Sequence, residues 1–287
     1  MPTPLSIFNH VRNEARTLAK SLASIRPIAD ELVVVDTGST DETIAIARRY
    51  ADRVVEWTWR DDFAAASRYA ASLCTHRFAC KWDGDWWLRE SIESIQTLKQ
   101  AGLKAGSVYH FLWINEFDPE TLTPIIRNTR QFIYDRFSYE WVSPIHTHLA
   151  PKQGQSLQTI TDLSITIYDD KEPLAKQHRY TQTQQLLAHH YAHAFGAERT
   201  RLAKYAVLSA FHLEDYEALS LWIEKHGRKY RQLALLDADL AVAKNNLAAA
   251  KEKYRLFLKI HPFDPVALNL STKRFRDHPR QMLQALT

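Results

Sequence analysis

The chain has 287 residues, of which 45% are hydrophobic and 24% charged, and its formal net charge is +4. This balance is typical of a globular protein with one large or two smaller domains. The net charge is too small to indicate nucleic-acid binding, although it suits a protein that handles anionic phosphates. Cys74 and Cys80 stand in apolar stretches, so we expect buried reduced thiols and no disulfide framework.

The first part of the chain alternates between predicted strands and helices. Apolar β-branched runs predict the strands, and apolar residues at helical spacing predict the helices. The strands are predicted at 5–11, 31–36, 53–57 and 77–82, and two of the helices at 14–25 and 62–74. Such alternation predicts a parallel sheet with right-handed crossovers. After the second strand, Ser39 or Thr40 is expected to cap a helix, with Asp41 and Glu42 in its first turn.

Polar side chains follow three of these strands. Asn13, Asp36 and Asp83 each come at a predicted carboxyl end, where parallel sheets gather their ligands. Asp83 and Asp85 are separated only by Gly84, and two such carboxylates suffice for a magnesium ion that bridges a diphosphate. The other interpretation is a surface turn, since Asp-Gly-Asp is a favourable turn sequence.

Asp36 directly follows a run of three valines. A carboxylate there is costly to bury unless something binds it. We expect it to accept a hydrogen bond from a nucleotide base, with uracil as the leading candidate. The alternative is a helix cap.

The pattern changes after Gly106. Aromatic and β-branched runs predict strands at 107–117, 125–134 and 163–168, with a turn at Asp118 and Pro119 between the first two. These strands predict an antiparallel edge on the parallel core. Residues 138–151 between them are interpreted as a loop-like segment.

From about residue 172 onward the pattern is helical. Residues 214–227 align with 248–262 at an offset of 35, which places Trp222 against Phe257. This spacing resembles a tetratricopeptide helix pair, but two copies are fewer than a self-standing array needs. We expect them to pack on the catalytic part or on a partner subunit, and a homodimer is one such arrangement.

Several segments together resemble a family-two glycosyltransferase of the bacterial branch that carries tetratricopeptide helices. They read, in order, VRNEARTLAKSLASI, DELVVVDTGSTDETIAIARRYADRV, WRDDFAAASRYA, KWDGDWWL and YEWVSPIHTHL. The resemblance implies an α/β fold of the A type, a Rossmann-like mixed sheet, over residues 1–170, followed by an all-α tetratricopeptide-like domain over 171–287. It also implies an inverting transferase that uses a nucleoside diphosphate sugar, UDP-linked in our interpretation, together with Mn²⁺ or Mg²⁺.

The same resemblance assigns the site residues. Asp83, Asp85 and His146 are the predicted catalytic residues, and Asp85 and His146 are the predicted metal ligands. The nucleotide is expected to contact Val11, Asn13, Glu14, Asp36, Ser39, Asp41, Arg68 and Asp83. On the acceptor side the candidates are Trp86, Glu116, Trp141 and His148.

The chain departs from the family pattern in three places. Ser67 precedes Arg68 and shifts that arginine by one position, Trp86 replaces the usual glutamate after the Asp-x-Asp, and Thr147 replaces the glutamate after His146. A general base is required near the acceptor hydroxyl. Its candidates are Glu116, Glu140 and His148. Trp86 and Trp141 would stack on a sugar, unless they pack in the core as tryptophans commonly do.

Two other functions stay open. One is a catalytically silent scaffold, which the three departures favour. The other is a nucleotidyltransferase, which the lack of a basic Gly-rich activation loop disfavours. The expected acceptor is a saccharide, a lipid-linked glycan, a peptide or another hydroxyl compound.

No apolar window reaches the roughly 18 residues of a membrane span, and the N-terminus lacks secretory signal features. We therefore expect a cytoplasmic protein, with the inner membrane face as a peripheral site.

The helical region also holds polar clusters. His189, His190 and His193 have helical spacing, for which a helix surface or an interface is a better explanation than zinc. The basic clusters at 225–232 and 273–280 favour a solvated face over an anionic lipid or a nucleic acid.

Overall fold

A computed structural model of the chain describes residues 1–117, 124–169, 173–213, 215–226, 237–242, 244–260 and 284. The chain divides into two compact units, Met1–Lys171 and Glu172–Thr287. The predicted turn at Asp118 and Pro119 lies outside the described residues, as does the basic cluster at 273–280. The same holds for most of the basic cluster at 225–232, of which only 225 and 226 have a described backbone.

The first unit contains an α/β sheet and its covering helices. Its strands are β1 (Leu5–Val11), β2 (Glu31–Asp36), β3 (Arg53–Glu56), β4 (Phe78–Trp82), β5 (Trp86–Leu88), β6 (Ser107–Phe117), β7 (Pro124–Asp135), β8 (Tyr139–Val142), β9 (His148–Pro151) and β10 (Gln158–Asp169). Its helices are α1 (Leu18–Ile25), α2 (Thr43–Tyr50), α3 (Phe63–Ser72) and α4 (Ile92–Ala101).

Among the described residues, eight strands form one sheet in the order β3-β2-β1-β4-β7-β6-β10-β5. The first four are parallel neighbours, which confirms the predicted parallel core. β7 is antiparallel to both β4 and β6, as predicted for the edge, whereas β10 runs parallel to β6. The prediction was therefore wrong for the pairing of β10 with β6, because the long connection from β7 lets the chain cross over before it pairs again, whereas β10 is antiparallel to β5.

The strands bury both faces because helices cover each of them. Ile7 and Val34 face α1, α2 and α4, whereas Phe8, Val33 and Val35 face α3. Apolar residues on both sides of a strand are typical of a parallel core covered by helices. Cys74 and Cys80 are buried free thiols, as predicted.

The sheet curls so that its far edge returns toward α1. β5 pairs with β10 at that edge, yet the Trp86 ring lies 5.8 Å from the ring of Trp82 in β4. Trp82 Nε1 donates to the Trp86 carbonyl at 3.1 Å, and Leu88 N donates to Ser24 Oγ of α1 at 3.1 Å. These bonds hold the residues after Asp85 beside the first helix.

The segment 138–151 is an antiparallel hairpin of β8 and β9, so the loop interpretation was wrong. Tyr139 and Trp141 alternate with exposed or half-buried neighbours and pack with Leu149 on the α3 face of the sheet. Trp141 Nε1 donates to the Tyr134 hydroxyl at 3.0 Å. The alternation of apolar and polar residues is present in the sequence, but the histidines and the proline between the two strands interrupt it.

The second unit is helical where the structure describes it. Its helices are α5 (Pro173–His193), α6 (Gly196–His212), α7 (Tyr216–His226) and α8 (Leu247–Ile260). Val207 and Ala210 of α6 pack with Leu219 and Ile223 of α7.

The predicted α/β sheet followed by a helical region is confirmed. The tetratricopeptide character stays a prediction, since the side chains of Phe257 and Leu258 in the second copy lie outside the described residues.

Candidate functional site

The carboxyl ends of β1, β2 and β4 meet at one edge of the sheet. Val11 pairs with Asp36 across β1 and β2, and Asn9 pairs with Trp82 across β1 and β4. The residues that follow each strand therefore emerge at the same edge. This is the position where open parallel sheets bind their ligands.

Asn13 joins the loop after β1 to the loop after β2. Its backbone N donates to Ser39 Oγ at 2.9 Å, and its Oδ1 accepts from the Thr40 backbone N at 2.8 Å. Asn13 has a φ of 55°, a left-handed conformation that asparagine tolerates better than most residues. The two loops thus form one surface that is held together by hydrogen bonds within the chain.

Asp41 strengthens the same connection. Its carboxylate accepts from Thr43 N at 3.0 Å and from Ala15 N at 3.2 Å, while Glu14 N donates to Thr43 Oγ1 at 2.8 Å. The pKa of Asp41 is lowered by these hydrogen bonds, which outweigh a partial desolvation that acts the other way. Glu42 occupies the cap position of α2 without a side-chain hydrogen bond, so the expected cap by Ser39 or Thr40 was wrong.

Asp36 is buried at the end of β2 with 2% exposure. Its Oδ2 accepts from Gly38 N and from Ser39 N, each at 2.9 Å. Gly38 has a φ of +104°, which a side chain would strain. Among the described residues, Asp36 Oδ1 is buried and accepts no hydrogen bond. A buried carboxylate oxygen of this kind is costly unless a donor from outside the described residues reaches it.

The Asp-Gly-Asp turn lies directly against the end of β1. A Cβ added at Gly84 would lie 3.1 Å from Glu14 Cγ and 3.4 Å from Val11 Cγ1, so the turn approaches both residues closely. Asp85 is buried with 5% exposure. Asp83 Oδ1 lies 2.5 Å from Lys81 Nζ. The two aspartates therefore belong to the same edge as Asp36 and Asn13.

Lys81 and His10 also contribute to the electrostatics of this edge, although the sequence analysis did not identify them. Lys81 Nζ lies 5.8 Å from the ring centroids of both Trp86 and Trp141. The pKa of His10 is lowered to about 3, first by burial and then by the Lys81 ammonium, against an opposing effect of Asp83. The available signal was a lysine inside an apolar strand immediately before the acidic turn.

The β8–β9 hairpin is held beside this edge by α3. Arg68 Nη1 donates to the Trp141 carbonyl at 2.8 Å, and Phe63 N donates to the Pro144 carbonyl at 2.9 Å. Arg68 thus anchors the hairpin, which is a use that the sequence did not indicate. His146 is exposed in the turn with a φ of 50°, and His148 begins β9.

Two predicted acceptor-side aromatics are core residues. Trp86 has 3% exposure and packs on Phe132 with the ring centroids 5.3 Å apart, and Trp141 has 5% exposure. Neither ring has an open face for sugar stacking, so that interpretation was wrong for both. Glu140 is exposed on β8, and the side chain of Glu116 lies outside the described residues.

The residues that the structure describes contain no group of three His, Cys, Asp or Glu side chains able to hold a metal ion together. This applies to Asp83, Asp85 and His146, and also to the three histidines of α5. The Asp-Gly-Asp carboxylates still suit a hard cation, because Mg²⁺ takes only one or two protein carboxylates and fills its shell with water and phosphate oxygens.

A family model for glycosyl transferase family 2 matches residues 6–151, about half of the chain. The match covers the strands, loops and hairpin that build the edge described above. The chain belongs to glycosyl transferase family 2. In this family-2 protein the predicted resemblance is therefore confirmed. No helix within the described ranges is long and apolar enough to cross a membrane.

Curated relatives match over short stretches. An uncharacterized glycosyltransferase of Rickettsia felis is 33% identical over 89 residues, 31% of this chain and 31% of that protein. A TPR repeat-containing protein of Synechococcus elongatus is 42% identical over 84 residues, 29% of this chain and 19% of that protein. The chain thus covers less than a third of the length of either relative.

Two solved structures share parts of the arrangement at low similarity. Glucosyl-3-phosphoglycerate synthase from Mycobacterium tuberculosis, in complex with Mn²⁺, UDP and glucosyl-3-phosphoglycerate, has a TM-score of 0.42 and 15% identity over 64% of this chain and 78% of that chain. Mannosyltransferase PcManGT from Pyrobaculum calidifontis, in complex with GDP-Man and Mn²⁺, has a TM-score of 0.45 and 16% identity over 92% of this chain and 90% of that chain.

Proposed function

We propose that this chain is an inverting glycosyltransferase that moves a sugar from a UDP-sugar to an acceptor hydroxyl with the help of Mn²⁺ or Mg²⁺. Family membership supports the reaction class. The observation that carries the proposal is the close approach of Gly84 to Val11 and Glu14. The short distance keeps Asp83 and Asp85 at the same edge of the sheet as the buried carboxylate of Asp36. A diphosphate that links a nucleoside to a bound metal ion needs both groups at one edge.

The nucleoside binds at the joined loops in this proposal. Asp36 Oδ1 accepts a hydrogen bond from the N–H of uracil, while its Oδ2 keeps the turn through Gly38 and Ser39. Asn13, Glu14 and Asp41 hold the loops in place around Val11 at the floor of the site. Because these bonds connect the loops to each other, the loops need little further ordering when the nucleoside binds, and little conformational entropy is lost.

The diphosphate binds beside the acidic turn. Lys81 Nζ pairs with Asp83, which supports a role for Asp83 on the ribose side; in this proposal Asp85 binds the metal, with His146 of the hairpin as a further ligand. A bound divalent cation supplies Lewis-acid stabilisation to the leaving diphosphate. Lys81 adds a positive charge at the end of β4, directly before the turn, and Arg68 keeps the hairpin against α3.

Inversion requires an acceptor hydroxyl that attacks from the face opposite the diphosphate, with a base to take its proton. Glu116, Glu140 and His148 stay the candidates for that base. We place catalysis in residues 1–170 and assign the helical residues 171–287 to acceptor or partner recognition, as a tetratricopeptide-like domain. The acceptor classes proposed are a saccharide, a lipid-linked glycan or a peptide.

The test is calorimetric titration of the protein with UDP in the presence and absence of Mn²⁺. We expect metal-dependent binding, and we expect Asp85→Asn to weaken it by about 100-fold because the variant loses the charge that pairs with the cation. Asp52→Asn is the matched control, since Asp52 accepts from Leu32 N at the opposite end of β2. It should bind UDP like the wild type.

Binding that ignores the metal, or a failure of the wild type to bind UDP, would overturn the proposal and favour the scaffold. Hydrolysis of a panel of UDP-sugars then identifies the donor. A nucleotidyltransferase would instead bind a nucleoside triphosphate and release pyrophosphate, which the same preparation can be assayed for.

A further inference from the structure

An exposed arginine lies on tryptophan rings next to the acidic turn. Arg130 of β7 places its Cζ 4.4 Å from the ring centroid of Trp113 and 5.1 Å from that of Trp86. The two rings are themselves 6.4 Å apart. The guanidinium is thus backed by two aromatic surfaces, of which one belongs to the residue directly after Asp85.

Strand register places Arg130 at the level of the proposed reaction. Cys80 of β4 pairs with Ile133, and β7 runs antiparallel to β4. Residues that precede Ile133 along β7 therefore extend past the carboxyl end of β4, where Asp83 and Asp85 emerge. Arg130 belongs to the same edge of the sheet as the acidic turn, but on the added strands rather than on the parallel ones.

The guanidinium is available for a ligand. Arg130 is exposed, and among the residues that the structure describes its side chain makes ring contacts but no hydrogen bond or ion pair. An arginine stacked on aromatic rings keeps its five donors in a fixed plane, which suits bidentate binding of a carboxylate or phosphate. Holding the plane in advance reduces the entropy that binding would cost.

Two indole N–H groups belong to the rings that support Arg130. Trp86 Nε1 and Trp113 Nε1 are buried, and neither has a hydrogen-bond partner among the residues that the structure describes. Buried donors without acceptors are costly, and native structures contain few of them. The exposed guanidinium is the group of this cluster that a ligand can reach from solvent, and its donors suit the oxygens of an anion.

We propose that Arg130 binds an anionic group, a carboxylate or a phosphate monoester, on the acceptor substrate. This inference rests on the proposed function, because it is the transfer reaction that makes this edge the acceptor side. Trp86 and Trp113 orient the arginine rather than stacking on the sugar. The acceptor class is thereby narrowed to saccharides that carry a negative charge near the hydroxyl that is glycosylated.

The experiment compares three probes by saturation-transfer NMR: glucose, glucuronate and glucose 6-phosphate. Each is titrated into the full chain with UDP and Mn²⁺, and again without them. In the wild type we expect at least one charged sugar to bind about tenfold more tightly than glucose. Whichever of the two charged probes binds better distinguishes a carboxylate from a phosphate.

Arg130→Gln should reduce the charged sugars to the affinity of glucose, whereas Arg130→Lys should keep part of the preference because the charge remains without the planar fork. The matched control is Arg26→Gln, since Arg26 pairs with Asp52 on the surface at the opposite end of the strands. It should retain the full preference.

Equal binding of the three sugars to the wild type, or an unchanged preference in Arg130→Gln, would overturn the inference. UDP titration of the same samples separates the two proposals. A charged-sugar preference without UDP binding removes the transferase proposal and leaves an anion site at Arg130. UDP binding without the preference removes the Arg130 inference alone.

Discussion

The two halves of the sheet present very different edges to the same site. On the parallel half, the loops after β1 and β2 are joined by hydrogen bonds in which Asn13 donates and accepts and Asp41 accepts. On the added half, β6 and β7 present Trp113 and Arg130; the guanidinium lies on the tryptophan ring, and Trp113 Nε1 has no partner among the described residues.

In the proposed reaction, the parallel half binds the nucleotide, which is the same in every cycle, and the added half binds the acceptor, which is exchanged. A nucleoside diphosphate has the same shape in every cycle, so a surface that is preorganised by its own hydrogen bonds binds it at low entropic cost. An acceptor must enter and leave as a glycosylated product. In the proposed arrangement, the exposed Arg130 on its aromatic support recognises the acceptor there and leaves the edge open.

The first test of the parallel half concerns Asp36. In Asp36→Asn the amide oxygen still accepts from Gly38 N and Ser39 N, but the negative charge that meets the base is lost. We expect UDP affinity to fall by about tenfold, with little change in the melting temperature. Calorimetry with Mn²⁺ and a thermal scan measure the two effects.

An equal loss of stability in Asp36→Asn would show that the carboxylate serves the turn and not the nucleotide. Asp36→Ala provides the contrast. It removes both accepted bonds, so it should lower the melting temperature as well as the affinity for UDP.

A second test concerns the buried charge pattern beneath the parallel half. The pKa of His10 is lowered to about 3, because of burial and of Lys81, while Asp83 opposes the shift. Below the ordinary pKa of histidine, His10 takes up a proton in the unfolded chain but not in the folded chain. The free energy of unfolding therefore falls as the pH falls from about 6.5 toward 3, by about 1.4 kcal/mol per pH unit for one proton.

His10→Gln keeps a polar group near Ser67 Oγ and removes that proton uptake. Urea midpoints of wild type and variant at pH 7 and pH 5 measure the difference in slope. Parallel pH dependences would mean that His10 titrates in the folded protein as it does in the unfolded chain, and would contradict the prediction.

The smallest expected effect comes from Gly84→Ala. The added Cβ would lie 3.1 Å from Glu14 Cγ, so the Glu14 side chain or the acidic turn must shift by a few tenths of an ångström. We expect a reduction of a few-fold in UDP affinity and a loss of about 1 kcal/mol in stability. Gly154→Ala carries backbone strain at a φ of +80° but meets no atom within 4 Å, and should affect stability alone.

The parallel half could be predicted from the sequence because the signals for its strands and helices are local. Valine runs, helical spacing and strand-end carboxylates predict strands, helices and a ligand edge without knowledge of distant contacts. β10 was assigned to an antiparallel edge and proved parallel to β6, since a strand's direction depends on how far the chain travels before it pairs. The β8–β9 hairpin was missed for a related reason. The residues on its buried face, among them Leu149, pack with the α3 helix, which is distant in sequence.

The sequence by itself determined the α/β order, the acidic turn and the family to which they belong, since each depends on residues that are neighbours along the chain. Only the tertiary structure decided that Lys81 pairs with Asp83, that Trp86 and Trp141 are buried, and that Arg130 reaches the edge of the site. Those relations depend on strand register and on the curl of the sheet, which bring together side chains that are far apart in sequence.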